Sequence, residues 1–458
     1  MKTTQKLCFL GLMTLTSFGA SANSLLDIYE LALEHDAQLQ ADRAAYEGGL
    51  ENRALGRAGL LPQINARAFY TDTEEDTTDN INNESGTFER ENSGWEISLT
   101  QPLFDMSRWY QYQRGTTLSE LAEMQFGADQ QSLIVRVAEA YFNVLRAADN
   151  LETALAEEKA LNQQLEQTRQ RYEVGLTAIT EVHEAQSVYD NAAAAALQAR
   201  GDLGIAYEAL EVLTGQPHDR IAPLAEDFPV VRPTPSDRHA WVEFALKNNY
   251  DLKVARLNSV AAEQSARASK SQHLPTLSAS ASYSDVDNEG TQFFGQPIPT
   301  NTQVEGRSIT LSLNVPLFSG GGVSAERRQA QAQYLQSRAE FNRAERGTIQ
   351  SARALHLSVE TGVSQVRARA QAIVSAESAL EATQSGYEVG TRNLVEVLLA
   401  QQALYQAQRD YQNALYDYII DTFALQQVAG MLTPADVQEV DAALAQERML
   451  RRSDYDVE

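Results

Sequence analysis

The chain spells one phrase twice. Residues 171–182 read RYEVGLTAITEV and residues 386–397 read GYEVGTRNLVEV, identical at six of twelve positions. Three further pairs keep the same order: LALEHDAQL (31–39) with FALKNNYDL (244–252), LLPQINARAFY (60–70) with HLPTLSASASY (273–283), and ISLTQPLF (97–104) with LSLNVPLF (311–318). Their offsets are 213, 213 and 214 residues, against 215 for the first phrase. Spacing held that closely marks a duplication, so the fold must be built from two copies of one unit.

Within each copy the hydrophobic period changes. Ile64, Ala66, Ala68 and Tyr70 alternate with polar neighbours, as do Leu277, Ala279, Ala281 and Tyr283 in the second copy. Further on, Trp95, Ile97, Leu99 and Leu103 alternate in the first copy, and Ile309, Leu311, Leu313 and Val315 in the second. A two-residue period means a strand with one apolar and one polar face. Each chain therefore contributes two β-hairpins, at about 61–104 and 274–318. Residues 71–92 and 284–306 are polar and rich in turn formers, and are expected to be long hairpin loops.

The remainder reads as helix. Residues 109–172 contain no proline and are dominated by Ala, Leu, Gln, Glu and Arg. A helix of that length extends roughly 95 Å, too long for a globular core, and must pair along its side with another. The stretches 179–213, 323–385 and 394–431 are alike. Gly175 and Gly390 stand where such helices must end, and glycine suits the left-handed residue after a helix C-cap. Each repeated phrase is thus the tip of a helical hairpin, at about 172–180 and 387–393.

Residues 1–22 have the pattern of a cleaved signal peptide: Lys2 and Lys6, an apolar run from Leu7 to Phe18, then Ala20-Ser21-Ala22. The sole cysteine, Cys8, lies inside it, so an exported chain would have no disulfide. Removing those two lysines takes the formal net charge from −25 to −27, which argues against a nucleic-acid partner. No later run approaches 18 apolar residues, so entry into a membrane would require a β-barrel. The units expected are residues 23–215, a Pro-rich linker at 216–237 holding five of the twelve prolines, residues 238–432, and a polar, loosely held tail at 433–458.

Signals for chemistry are weak. The SGGGV stretch at 319–323 follows a strand and opens a helix, but no Gly-Lys-Ser/Thr follows and its repeat partner DMSRW has no glycine, so it is a bend. The six histidines form no i, i+4 pair and lack cysteine partners, which gives no zinc site. Neither Gly-x-Ser-x-Gly nor His-Glu-x-x-His occurs, so neither an enzyme nor a cofactor is expected.

With SLTQPLFDMSRW, RYEVGLTAITEV, SLNVPLFSGGGV, GYEVGTRNLVEV and the duplication together, the chain resembles the TolC family of outer membrane efflux channels. The resemblance implies a mainly α homotrimer in which each chain gives four strands to one twelve-stranded outer-membrane β-barrel. A long periplasmic α-helical barrel of coiled coils continues it. Four strands cannot close a barrel, since about eight is the usual minimum, so oligomerisation is required on physical grounds alone.

The resemblance also implies a gate. Arg392 is expected to lock the tips by facing Thr180 and Glu181, with Tyr387 also reaching Glu181. Glu396 would form an acidic ring at the entrance, although Asn393 followed by Glu396 is equally a helix-start pattern. One turn further the sequence has Leu399, so a second acidic ring is not expected. Val174, Gly175, Leu176, Val389, Gly390 and Thr391 would meet a periplasmic adaptor protein, itself joined to an inner-membrane efflux pump or ABC exporter. The function implied is the passive exit duct of such pumps, and of type I secretion. The alternative is a trimeric outer-membrane stalk without transport, whose axis would be filled by apolar side chains.

Overall fold

The computed structural model describes residues 24–79, 84–225, 227–291, 300–445 and 450–452. The expected signal peptide, with Cys8, lies outside the described residues, as do 453–458 of the tail. In chain order the first copy comprises α1 (Leu25–His35), α2 (Ala37–Leu50), α3 (Asn52–Ala58), β1 (Gln63–Asp79), β2 (Glu84–Phe104), α4 (Met106–Glu173) and α5 (Ile179–Thr214). After β3 (Arg220–Ile221) the second copy repeats the plan: α6 (Arg238–Asn248), α7 (Tyr250–Ser271), β4 (Thr276–Thr291), β5 (Thr300–Asn314), α8 (Gly322–Glu388) and α9 (Leu394–Val428). Two short elements close the chain, α10 (Pro434–Asp441) and β6 (Leu450–Arg451).

The strands form one antiparallel sheet in the order β1-β2-β4-β5. Register carries the period-two pattern across all four strands. Ile64 faces Leu99, Leu99 faces Ala281, and Ala281 faces Ile309, a row of apolar side chains on one side. The next residues along, Asn65, Ser98, Ser282 and Ser308, make a polar row on the other, where the Ser282 and Ser308 hydroxyls lie 2.9 Å apart. Among the described residues the strands pack chiefly on one another rather than on the helices. Ile309 is 91% exposed in the single chain, and Ile64, Leu311 and Leu313 are exposed as well.

The strands are longer than the hydrophobic pattern indicates. Residues 71–79 and 84–92, expected as loop, are paired from Thr71–Asn92 to Asp79–Glu84, and Ser284–Gly290 pairs with Thr300–Gly306. Residues 80–83 and 292–299, the remainder of those expected loops, lie outside the described residues. Threonine favours strand, and side-chain bonds such as Thr87 Oγ1 to Asp76 Oδ1 (2.7 Å) and Gln303 Nε2 to Asp285 Oδ1 (3.0 Å) help the extension. A strand polar on both faces has no hydrophobic period, so the pattern could not reveal it. At 17 residues β1 is roughly 55 Å long, well beyond the ~10 residues that cross a bilayer.

At the opposite end of each strand pair the chain turns into the long helices, across one residue after β2 and across residues 315–321 after β5. Asp105 caps α4 through bonds from the Ser107 and Arg108 amides, whereas Gly321, at φ +81°, makes the turn into α8 with no side-chain cap. Helices α4 and α8 have 68 and 67 residues, each about 100 Å long, and α5 and α9 return along them at about half that length.

The main core sits partway along these helices, where α1, α5, α9 and α10 meet α4 around Tyr141, Phe142 and Phe423. The tail is docked there rather than loosely held. Val437 and Leu444 are buried, Asp441 accepts the Leu26 amide at 3.0 Å, and β6 pairs with β3 of the linker. Its few apolar residues are enough, because linker and tail each satisfy the other's backbone groups.

Candidate gate at the helical tips

Both repeated phrases fold alike. Helix α4 ends at Glu173, and Gly175 at φ +76° lets its amide bond the Tyr172 carbonyl (2.9 Å) while the Leu176 amide bonds Arg171 (2.8 Å). Helix α8 ends at Glu388, and Gly390 at φ +81° repeats the pair, Gly390 to Tyr387 (3.1 Å) and Thr391 to Gly386 (2.8 Å). These are two Schellman caps, which close the last free carbonyls of each helix. They leave Val174, Leu176 and Val389 exposed by 69–76% at the ends of the hairpins.

Behind the tips a small apolar cluster fixes the hairpins together. It contains Leu161 and Leu165 of α4, Ala185 and Ala192 of α5, and Leu394 and Leu398 of α9, with Tyr387 packed against it. Each buried leucine stabilises by roughly 1.5–3 kcal/mol, so this cluster sets where the polar groups lie. On the outward side of α9, Leu399 is 59% exposed, one turn beyond Glu396.

The start of α9 is where the predicted side chains converge. Asn393 caps the helix by accepting the Glu396 amide at 2.9 Å, and its own amide donates to Glu396 Oε1 at 2.9 Å. Glu396 Oε2 takes Arg392 Nη1 at 2.5 Å. The helix-start reading of Asn393 and Glu396 is therefore correct in geometry, and the positive end of the helix dipole favours the carboxylate there.

Arg392 differs from expectation. Within the chain it pairs with Glu396, four residues on, rather than with Thr180 and Glu181. The reason is local. A Cβ at Gly386 would lie 2.6 Å from Arg392 Cγ, so the absence of a side chain at 386 lets Arg392 fold back over the helix end toward Glu396. Both partners are partly exposed, which limits such a pair to about 0–1 kcal/mol. It is the weak, breakable contact on a tip whose base is anchored by leucine.

Thr180 is exposed and Glu181 half-buried in the first turn of α5. Tyr387 lies nearer to that turn. Burial raises its phenol above the usual range, the Arg171 guanidinium opposes the shift, and the Glu181 carboxylate adds to it. The Tyr387 hydroxyl is nevertheless buried without a hydrogen-bond partner, as are Arg171 Nε and Thr177 Oγ1. Arg171 instead lays its guanidinium over the Tyr387 ring, 4.9 Å from the centroid, and so ties the first tip to the second. Arg171 and Gly386 belong to no motif. The signal that finds them is the repeat itself, for they are the aligned pair that opens the two phrases and differs.

The family model described as "Outer membrane efflux protein" matches the chain twice, over residues 28–216 and 241–431, one match per copy. The outer membrane protein TolC of Vibrio cholerae is 37% identical over 428 residues, 92% of this chain and 94% of that protein. The alkaline protease secretion protein AprF of Pseudomonas aeruginosa is 33% identical over 92% of this chain and 88% of its own length. Among solved structures, the outer membrane protein VceC of Vibrio cholerae superposes with a TM-score of 0.72 at 21% identity, covering 89% of this chain and 96% of that one. With two matched copies, relatives above 30% identity over nine-tenths of the chain, and the same fold, this chain belongs to the outer membrane efflux protein family.

Proposed function

We propose that three copies of the chain close one twelve-stranded barrel in the outer membrane and continue it as a helical duct into the periplasm, through which efflux and secretion machines discharge. The observation that carries this reading is the sheet. It has four strands, an exposed apolar face and two unpaired edges, β1 and β5. A membrane tolerates neither free edges nor an open sheet, so the edges must meet those of other copies and the apolar face must meet lipid. The amino-terminal 22 residues are a signal peptide removed on export, and residues 23–215, 216–237, 238–432 and 433–458 act as first copy, linker, second copy and polar tail.

In this reading the duct is passive and closed at the tips. Arg392 on the second hairpin leaves Glu396 for Thr180 and Glu181 of a neighbouring hairpin, and Tyr387 supplies its free hydroxyl to the same contact. Glu396 and Leu399, on the open side of α9, ring the entrance, the carboxylates favouring cations. Val174, Gly175, Leu176, Val389, Gly390 and Thr391 receive a periplasmic adaptor, which links the duct to an inner-membrane efflux pump or ABC exporter. The relative named for alkaline protease secretion supports extension to type I secretion.

Single-channel recording in a planar bilayer tests the reading. Small, cation-selective steps that grow when Arg392 is replaced by alanine are expected. A correctly inserted trimer silent in both forms would leave a stalk rather than a duct.

A further inference from the structure

Where strands give way to helices, the charge of the molecule inverts. The chain carries 62 acidic and 37 basic residues. Beyond Tyr70 and Trp95 the strands are rich in acid, with Asp72, Glu74, Glu75, Asp76, Glu89 and Glu91. At the other end, a groove between the last turns of α7 and the first turns of α8 is lined by Arg267, Lys270, Arg327 and Arg328 against one acid, Glu263. All four basic side chains are exposed. Glu263 is already engaged by Arg267 at 2.6 Å, which leaves Lys270, Arg327 and Arg328 as a basic surface without a carboxylate lining the same groove to balance it.

Aromatic residues fix the level of this groove. Trp95 packs on Tyr283 at 5.2 Å, high on the sheet. From Trp95 to the end of β2 at Phe104 is roughly 30 Å along the strand, or close to 25 Å once tilted as in a barrel, the height of an apolar membrane band. Just past that end α4 presents Trp109, 43% exposed, and Tyr110, whose ring lies 6.0 Å from the Arg267 guanidinium. Trp and Tyr at two such levels mark the two faces of a bilayer. Arg267 holds the groove at the level of Tyr110, and Arg327 is five residues into α8, about 8 Å along that helix.

We infer that the groove of Lys270, Arg327 and Arg328, with Tyr110 and Arg267 beside it, binds the phosphodiester headgroup of an anionic phospholipid in the periplasmic leaflet. The guanidinium fork matches a phosphate in shape and charge, and the two helices that line the groove adjoin β4 and β5 in the chain, whose apolar face would meet the acyl chains. A basic collar at this level would fix the barrel's depth in the bilayer while the acidic ends stay outside it. The inference rests on the barrel reading above.

The test uses the full-length trimer, stripped of lipid in a non-ionic detergent and incubated with phosphatidylglycerol or phosphatidylcholine of the same chain length. Native mass spectrometry counts the retained lipid. The expected result is several-fold more phosphatidylglycerol than phosphatidylcholine, lost in the triple variant Lys270→Gln, Arg327→Gln, Arg328→Gln and kept in Lys270→Arg. Equal retention of both lipids, or an unchanged preference in the triple variant, overturns the inference. So does complete displacement by millimolar inorganic phosphate, which would mark a free-anion site. Planar-bilayer current is recorded on the same samples. Conducting variants with wild-type ion selectivity are expected, and altered selectivity with lipid preference intact would place these residues on the water path instead. A wild-type protein that binds lipid without preference but inserts and conducts refutes only the collar, whereas one that does not insert into the bilayer refutes the barrel.

Discussion

The two hairpin tips share a backbone and differ in what they do with it. Each closes with the same Tyr-Glu-Val-Gly Schellman cap, glycine at φ +76° in one and +81° in the other. The return helices then diverge. Helix α5 starts at Ala178 with no side-chain cap, while α9 starts at Asn393 with the cap completed by Glu396 and Arg392. At the position that opens each phrase, the first tip has Arg171 reaching across to Tyr387, and the second has Gly386 making room for Arg392. Duplication supplied one fold twice. Divergence at a few positions made the first tip a plain support and gathered the breakable polar contact on the second.

That asymmetry can be attacked directly. The largest effect is expected from Arg392→Ala, which should raise single-channel current several-fold, while alanine at its repeat mate Thr177 changes little. Equal responses at the two would mean the tips are equivalent. Next comes Gly386→Arg, which rewrites the second tip as the first. Its Cβ would collide with Arg392 Cγ, so the Arg392–Glu396 pair should be lost, which frees Arg392 for Thr180 and Glu181 and should lower single-channel current below wild type. Wild-type current would show that the pair does not depend on the missing side chain.

Glu396→Gln should reduce the ratio of cation to anion permeability measured from reversal potentials, and more than Glu181→Gln at the mate position. The reverse order would move the entrance ring to the first hairpin. The smallest effect concerns the caps. Asn393→Ala should cost about 1 kcal/mol of local tip stability, seen as faster amide exchange in the first turn of α9, and Ala178→Asn should slow exchange at α5 by a comparable amount. Unaltered exchange in both would remove the cap from the comparison.

How far these features were legible varies with the kind of signal. The tips were readable because glycine at a helix end has a backbone meaning that no neighbour overrides. The apolar halves of the strands were readable because one apolar and one polar face leave a period of two. Their polar halves, residues 71–79 and 284–290, were hidden because cross-strand hydrogen bonds between Thr, Asp, Gln and Asn leave no such trace. The tail appeared loose because its apolar residues are few, yet Val437 and Leu444 find a core supplied by elements hundreds of residues earlier. The i, i+4 spacing of Arg392 and Glu396 stands in the sequence, but only the space left by Gly386 shows which carboxylate the arginine takes within the chain.

By itself the sequence determined the duplication, the change from two-residue to helical period within each copy, the four strands, the paired long helices and the two glycine-capped tips. These are local matters of backbone preference and side-chain spacing, settled within a few residues. The tertiary structure decided the order β1-β2-β4-β5, the joining of linker to tail, the apolar cluster behind the tips, and the partners of Arg392, Arg171 and Tyr387. Those depend on which groups distant parts of the chain bring within a few ångströms, and contact and exclusion at that range exist only once the helices and strands have packed.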